Sequence, residues 1–207
     1  TARSYIGACS FGDNDAKEGI FRGGLSGGAP MSTVGMTNLV SNAGVVATDV
    51  TAVGTTRYSQ AGCEYGDDKG IFGFGTTGTG AEAITNLVSN TGVVATDQAA
   101  VTGTVRYNLA ACSFGGDQGI FGFGTPGPTA VTNLVSNAGV VATDTAGVGT
   151  IRAVLAACEF GGDQGIFGFG NTSGNTTNLV SNTGVVASDQ AATTGTERFG
   201  LGACSFN

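Results

Sequence analysis

Residues 104–149 read TVRYNLAACSFGGDQGIFGFGTPGPTAVTNLVSNAGVVATDTAGVG. Within this stretch lie four short segments of strand character: RYNLAACSF, GIFGFG, TNLVSN and GVVATD. Each is bounded by Gly, Asp, Asn, Pro or Ser, the punctuation expected of strands joined by turns. The Asn-x-Gly between the third and fourth segments suits a tight hairpin, because both residues tolerate positive φ. No window carries apolar residues at i, i+3, i+4 and i+7 for long enough to predict a helix.

The stretch recurs along the chain. Arg3, Arg57, Arg106, Arg152 and Arg198 occupy one repeat position, spaced by 54, 49, 46 and 46 residues. NLVSN begins at Asn38, Asn86, Asn133 and Asn178, and the closing aspartates are Asp49, Asp97, Asp144 and Asp189. This divides the 207-residue chain into one repeat domain of four units, about 1–54, 55–103, 104–149 and 150–195, with a partial fifth at 196–207. Four short antiparallel strands per unit, repeated at this period, predict an all-β fold: a β-propeller of four-stranded blades, most simply four-bladed. The first segment occurs five times and the others four, so one strand is spare. It is expected to serve ring closure or self-association through an open edge. A β-solenoid is the alternative architecture.

Composition narrows the function. Charged residues make up only 11%, Gly numbers 38, and His and Trp are absent. Without histidine there is no imidazole base or His-based triad. A net charge of −7 argues against nucleic-acid binding. No apolar run reaches 18 residues, so no helical membrane insertion is expected. The first residue is Thr rather than Met, and a processed form or a fragment of a longer array is expected.

The order Arg, LAA, F-GG-D, GIFGFG, TNLV, GVVATD resembles a kelch-like β-propeller repeat, although the chain has no Trp. It is also similar to repeat arrays of marine bacteriophage structural or tail-fibre-like proteins. The resemblance spans nearly the whole chain. It implies a structural or adhesive role in a virion or extracellular setting, and no catalytic residue, cofactor or metal.

Several residues are candidates for specific roles. Tyr58, Tyr107 and Phe199 each follow the repeat arginine and are candidate sugar-stacking platforms. Arg57, Arg106, Arg152 and Arg198 are candidate ligand contacts. Asp49, Asp97, Asp144 and Asp189 stand eight or nine residues before the next arginine and are read as inter-blade clasps with it. Cys9, Cys63, Cys112, Cys158 and Cys204 share one position and read as small buried apolar residues. Asp13, Asp15, Asp67, Asp68, Asp117 and Asp163 cluster in turns, but EF-hand spacing is missing. The expectation is therefore a non-catalytic structural or adhesion module. A multivalent lectin-like propeller that binds cell-surface glycan is the alternative.

Overall fold

The computed structural model describes residues 1–99, 103–172, 175–190 and 196–205. It is all-β, with five three-stranded antiparallel sheets and a single 3-10 turn at Asn14–Ala16. Each whole unit builds one sheet from its first three segments. In the first unit these are β2 (Gly7–Phe11), β3 (Glu18–Arg22) and β6 (Thr37–Val40). The first unit also carries a small sheet of β1 (Arg3–Ser4), β4 (Leu25–Ser26) and β5 (Ser32–Thr33). The second unit contributes β7 (Ala61–Tyr65), β8 (Lys69–Gly73) and β9 (Thr85–Val88). The third contributes β10 (Ala110–Phe114), β11 (Gln118–Gly122) and β12 (Thr132–Val135). The fourth contributes β13 (Ala156–Phe160), β14 (Gln164–Gly168) and β15 (Thr177–Val180). The GIF segment is the central strand every time, and its register repeats: Cys63 faces Ile71, Cys112 faces Ile120, and Cys158 faces Ile166.

The expectation of a closed propeller with four four-stranded blades is corrected on two counts. The sheets have three strands, and none of them closes. The fourth segment, GVVATD, touches the third strand only through isolated bridges, such as Val46 with Val40 and Val50 with Thr37. The reason is local. The Asn38 side-chain amide donates to the Ala47 carbonyl and to Asp49, so a side chain takes the place of ladder bonds. Val45, Val93, Val140 and Val185 point outward, each about two-thirds exposed, while the next valine, Val94, Val141 or Val186, packs on the core. The hairpin glycines behave as expected: Gly44, Gly92, Gly139 and Gly184 all have positive φ.

Successive units pack face to face, with β2, β7, β10 and β13 side by side in chain order. Three contacts recur at these interfaces. The thiol of one unit nests on the glycine that opens GIF in the next: a Cβ at Gly70, Gly119 or Gly165 would stand 2.7, 2.6 and 2.7 Å from the sulfur of Cys9, Cys63 and Cys112. The second Phe of GIFGF meets the first Phe of the next unit edge-on, Phe74 with Phe121 and Phe123 with Phe167, both at 5.2 Å. The hairpin glycines Gly92, Gly139 and Gly184 lie over Phe11, Tyr65 and Phe114 of the preceding unit. Phe72, Phe121, Phe167, Ile71 and Ile120 are fully buried.

A backbone ladder threads the interfaces. Ser59 N–H donates to Tyr5 C=O at 2.9 Å, Asn108 to Ser59 at 3.0 Å, Val154 to Asn108 at 2.8 Å, and Gly200 to Val154 at 2.9 Å. All five residues have φ between +52° and +67°. For Val154 this is a strained choice, since a β-branched side chain disfavours that region. The partial fifth copy joins the ladder at Gly200 but forms no strand over its described residues.

The thiol-on-glycine contact yields a first prediction. Gly119→Ala should lower stability by about 1–3 kcal/mol through overpacking against Cys63. Chemical denaturation should show a smaller loss when the same substitution is made in a Cys63→Ala background.

Candidate functional site

Three of the five repeat arginines lie inside the molecule. Arg57, Arg106 and Arg152 are fully buried, so the candidate ligand role for these three is corrected: no surface ligand reaches their guanidinium groups. Arg106 and Arg152 instead join two units, while the Arg57 side chain binds Gln60, Asn86 and Asp97 of its own unit. The Arg106 guanidinium lies 4.6 Å from the Phe74 ring of the preceding unit, and Arg152 lies 4.3 Å from Phe123. Toward its own unit each donates to an asparagine Oδ1: Arg57 to Asn86 at 2.7 Å, Arg106 to Asn133 at 2.5 Å, and Arg152 to Asn178 at 2.5 Å. Cation–π attraction and a charge-assisted hydrogen bond together offset the desolvation of the guanidinium. Burial still penalises the charge, and it pulls the pKa of Arg57 and Arg106 down to about 10.

The aspartates sit in a different register from the one expected. Arg57 faces Asp97, Arg106 faces Asp144, and Arg152 faces Asp189, each at 3.8 Å. These are the acids that close the arginine's own unit, not those that precede it in sequence. Each acid also receives the backbone N–H and hydroxyl of a threonine two residues before the arginine: Thr55 for Asp97, Thr104 for Asp144, Thr150 for Asp189. Asp49 is bound in the same way by the Thr1 amine and hydroxyl and by Asn38. The Asn side chain completes the set by donating to the carboxylate at 2.8–2.9 Å. Threonine and asparagine were the partners that sequence reasoning missed. Their signal is a polar residue held at fixed places in T-x-R and T-N-L-V.

One interface is built differently. The first unit reads GIFRGG where the others read GIFGFG. Gly23 replaces the stacking Phe, and Arg22 is a second fully buried guanidinium. Its Nη1 donates to Gln60 Oε1 at 2.9 Å and its Nη2 to Val53 C=O at 2.7 Å, while Gln60 Nε2 donates to Arg22 C=O at 3.0 Å. The third and fourth units carry Leu109 and Leu155 where the second carries Gln60. The glutamine therefore answers the extra charge.

The first strands of all four units, with residues 203–205, line a shared cavity of about 840 Å³. Its lining includes the small side chains Ala8, Ala111 and Ala157, the aromatic Phe21 and Tyr65, and the charged Lys17, Glu64 and Glu159. Lys17 pairs with Glu64 and donates to Asp67 C=O, and Ser10 donates to Glu64 at 2.9 Å. Burial raises the Glu159 carboxyl above its ordinary value.

The five cysteines are free thiols. Burial pushes Cys9 up to about 12 and raises Cys63 and Cys112 further, which removes thiolate character from this column. Cys158 is half-buried and Cys204 exposed. Tyr58 and Tyr107 are half-buried, with the Tyr58 ring 6.3 Å from that of Tyr5. Phe199 is 70% exposed, and Arg198 beside it is exposed as well. The turn acids do separate local jobs: Asn137 donates to Asp117, and Asn182 to Asp163. Among the described residues, no group of three or more Cys, Asp or Glu is placed to hold a metal. No protein-family model matches the chain, and no curated protein is similar to it.

Two predictions follow from this buried network. Gln60→Leu should cost about 2–3 kcal/mol, because it strands the Arg22 charge. Adding Arg22→Gly should recover most of that loss, a coupling read from a double-mutant cycle of denaturant midpoints. The second concerns acid. Burial alone would raise Asp97, Asp144 and Asp189, but hydrogen bonds from threonine and asparagine outweigh it and hold all three below the usual range. A carboxyl depressed by folding lends its stability above the unfolded value of about 4 and loses it as pH falls through the folded value. The melting temperature should therefore hold steady from pH 8 to 5 and drop below about pH 4. The drop should be shallower in Asp144→Asn.

Proposed function

We propose that the chain is a non-catalytic structural or adhesion module, its kelch-like units forming a stiff propeller-like arc in a virion fibre or a secreted surface protein. The observation that carries this reading is the fate of the ionisable groups. Arginine and aspartate, the side chains that recur in every unit, are spent on internal contacts: Arg57, Arg106 and Arg152 bind the asparagine and aspartate of their own unit, and Arg106 and Arg152 also lie over a phenylalanine of the preceding one. The same thiol–glycine, Phe–Phe and backbone contacts recur from one interface to the next. A chain built this way gains rigidity from nearest-neighbour packing and commits few side chains to chemistry. Low charge and high glycine fit the same role.

Multivalent glycan binding is the second reading. It is favoured by one observation: aromatic rings that are half-buried or exposed recur one residue past the arginine, at Tyr58, Tyr107 and Phe199. Such rings suit the apolar face of a sugar, and several weak sites gain strength by avidity.

A glycan array together with sedimentation separates the two. The structural reading expects no saturable glycan binding by wild-type chain. It also expects that removing residues 196–207 lowers the melting temperature or weakens self-association. Saturable binding that Tyr107→Ala abolishes would replace it with the lectin reading. A truncated chain with unchanged melting temperature and oligomeric state would remove the last segment from the account.

A further inference from the structure

The cavity along the first strands carries a row of polar residues at one level. The residue after each repeat cysteine lines it: Ser10, Glu64, Ser113, Glu159 and Ser205, serine alternating with glutamate. Glu64 shows what such a glutamate binds. It takes the Lys17 ammonium on one oxygen and the Ser10 hydroxyl on the other, the latter at 2.9 Å. Lys17 comes from the first unit's long turn, 12–17, between β2 and β3. Glu159 stands at the equivalent place in the fourth unit and has no such partner. The turn of the unit before it, 115–117, is shorter and holds no cation. The Ser113 hydroxyl, which corresponds to that of Ser10, donates instead to the Glu64 carbonyl at 3.3 Å. Among the described residues no hydrogen bond or ion pair reaches the Glu159 carboxylate, although it is half-buried. The charges acting on it are Lys17 and Asp163, and Lys17 is already held by Glu64 and by the Asp67 carbonyl at 2.8 Å.

From this we infer that Glu159 is the receiving group of a binding site in this cavity for a small primary ammonium ion with a short aliphatic chain. Three features select that class. The carboxylate is unpaired and partly stripped of water, so an opposite charge gains more there than at the open surface. Its lone pairs call for N–H donors, and the Lys17 ammonium on Glu64 shows a primary ammonium meeting that demand in the same cavity. The volume of about 840 Å³ admits a small molecule, and Ala111 and Ala157 in the lining suit its methylenes. The site does not depend on where the stack ends. The cation at Glu64 comes from the unit before it, the corresponding third unit is whole, and residues 203–205 already line the other side of Glu159. The proposal goes beyond the structural-module reading and stands on the cavity alone, so either can fail without the other.

The test titrates the full chain with n-propylammonium chloride at neutral pH and constant ionic strength, read by backbone amide NMR shifts. Wild-type chain should show one saturable site, its shifts centred on β13 and residues 203–205. Tetramethylammonium carries the charge but no N–H donor, and should bind at least about tenfold more weakly. Glu159→Gln should weaken propylammonium at least about tenfold, the worth of a charge-assisted contact, with shifts elsewhere unchanged. Lys17→Met vacates the Glu64 seat and should add a second saturable set of shifts around β7. The comparison of the two cations uses no variant, so it holds whatever a substitution does to folding. No saturable shifts in wild-type chain would overturn the proposal. So would equal binding of tetramethylammonium, or unchanged affinity in Glu159→Gln. Saturation seen only in Lys17→Met, and only around β7, would confine ammonium binding to Glu64 and overturn the role of Glu159.

Discussion

A guanidinium enclosed between the phenylalanine ring of one unit and the asparagine and aspartate of the next fixes how units meet. At Arg106 the ring of Phe74 closes one face, Asn133 accepts the hydrogen bond, and Asp144 supplies the counter-charge. The arrangement sets distance and angle together. A planar cation on a ring tolerates sliding, but a hydrogen bond to Oδ1 does not. Around this group the apolar contacts fall into place. Phe74 lies edge-on to Phe121 and carries the Arg106 guanidinium over its ring. It keeps a left-handed backbone, φ +62°, that its side chain would otherwise disfavour. Where Gly23 removes the ring, a second arginine and a glutamine fill the space with hydrogen bonds.

Much of the strand plan was legible in the sequence. RYNLAACSF, GIFGFG and TNLVSN each contain a strand in every whole unit, shorter than the segment (Ala110–Phe114, Gln118–Gly122 and Thr132–Val135 in the third), and SNxG is a turn with positive φ at glycine. The alternation of small and large residues between turn signals was enough for that. The fourth segment misled, because Val-Val flanked by turns has strand propensity wherever it stands. Whether it pairs depends on a carbonyl that the Asn38 amide removes from the ladder, and that is a tertiary fact. The distance between Asp49 and Arg57 misled in a similar way. Closeness in sequence pointed to a clasp across the unit boundary, while the fold returns each acid to the start of its own unit.

The glycines of the central strands mark crowding, and the crowding has names. Gly119 is small because the Cys63 sulfur needs the room, and Gly122 because Phe167 does. Cysteine suits the first position because its side chain is small, apolar and free of hydrogen-bonding demands. The raised thiol values report the same enclosure. The half-burial of Tyr58 and Tyr107 and the exposure of Phe199 could not be read from sequence, since an aromatic after the repeat arginine can turn either way.

The ladder from Tyr5 through Ser59, Asn108 and Val154 to Gly200 runs with one sense throughout, each later residue donating and each earlier one accepting. The ladder therefore gives the stack a direction. Most strand contacts between units join immediate neighbours, so the second and third units, each with a whole neighbour on both sides, are the last to let go.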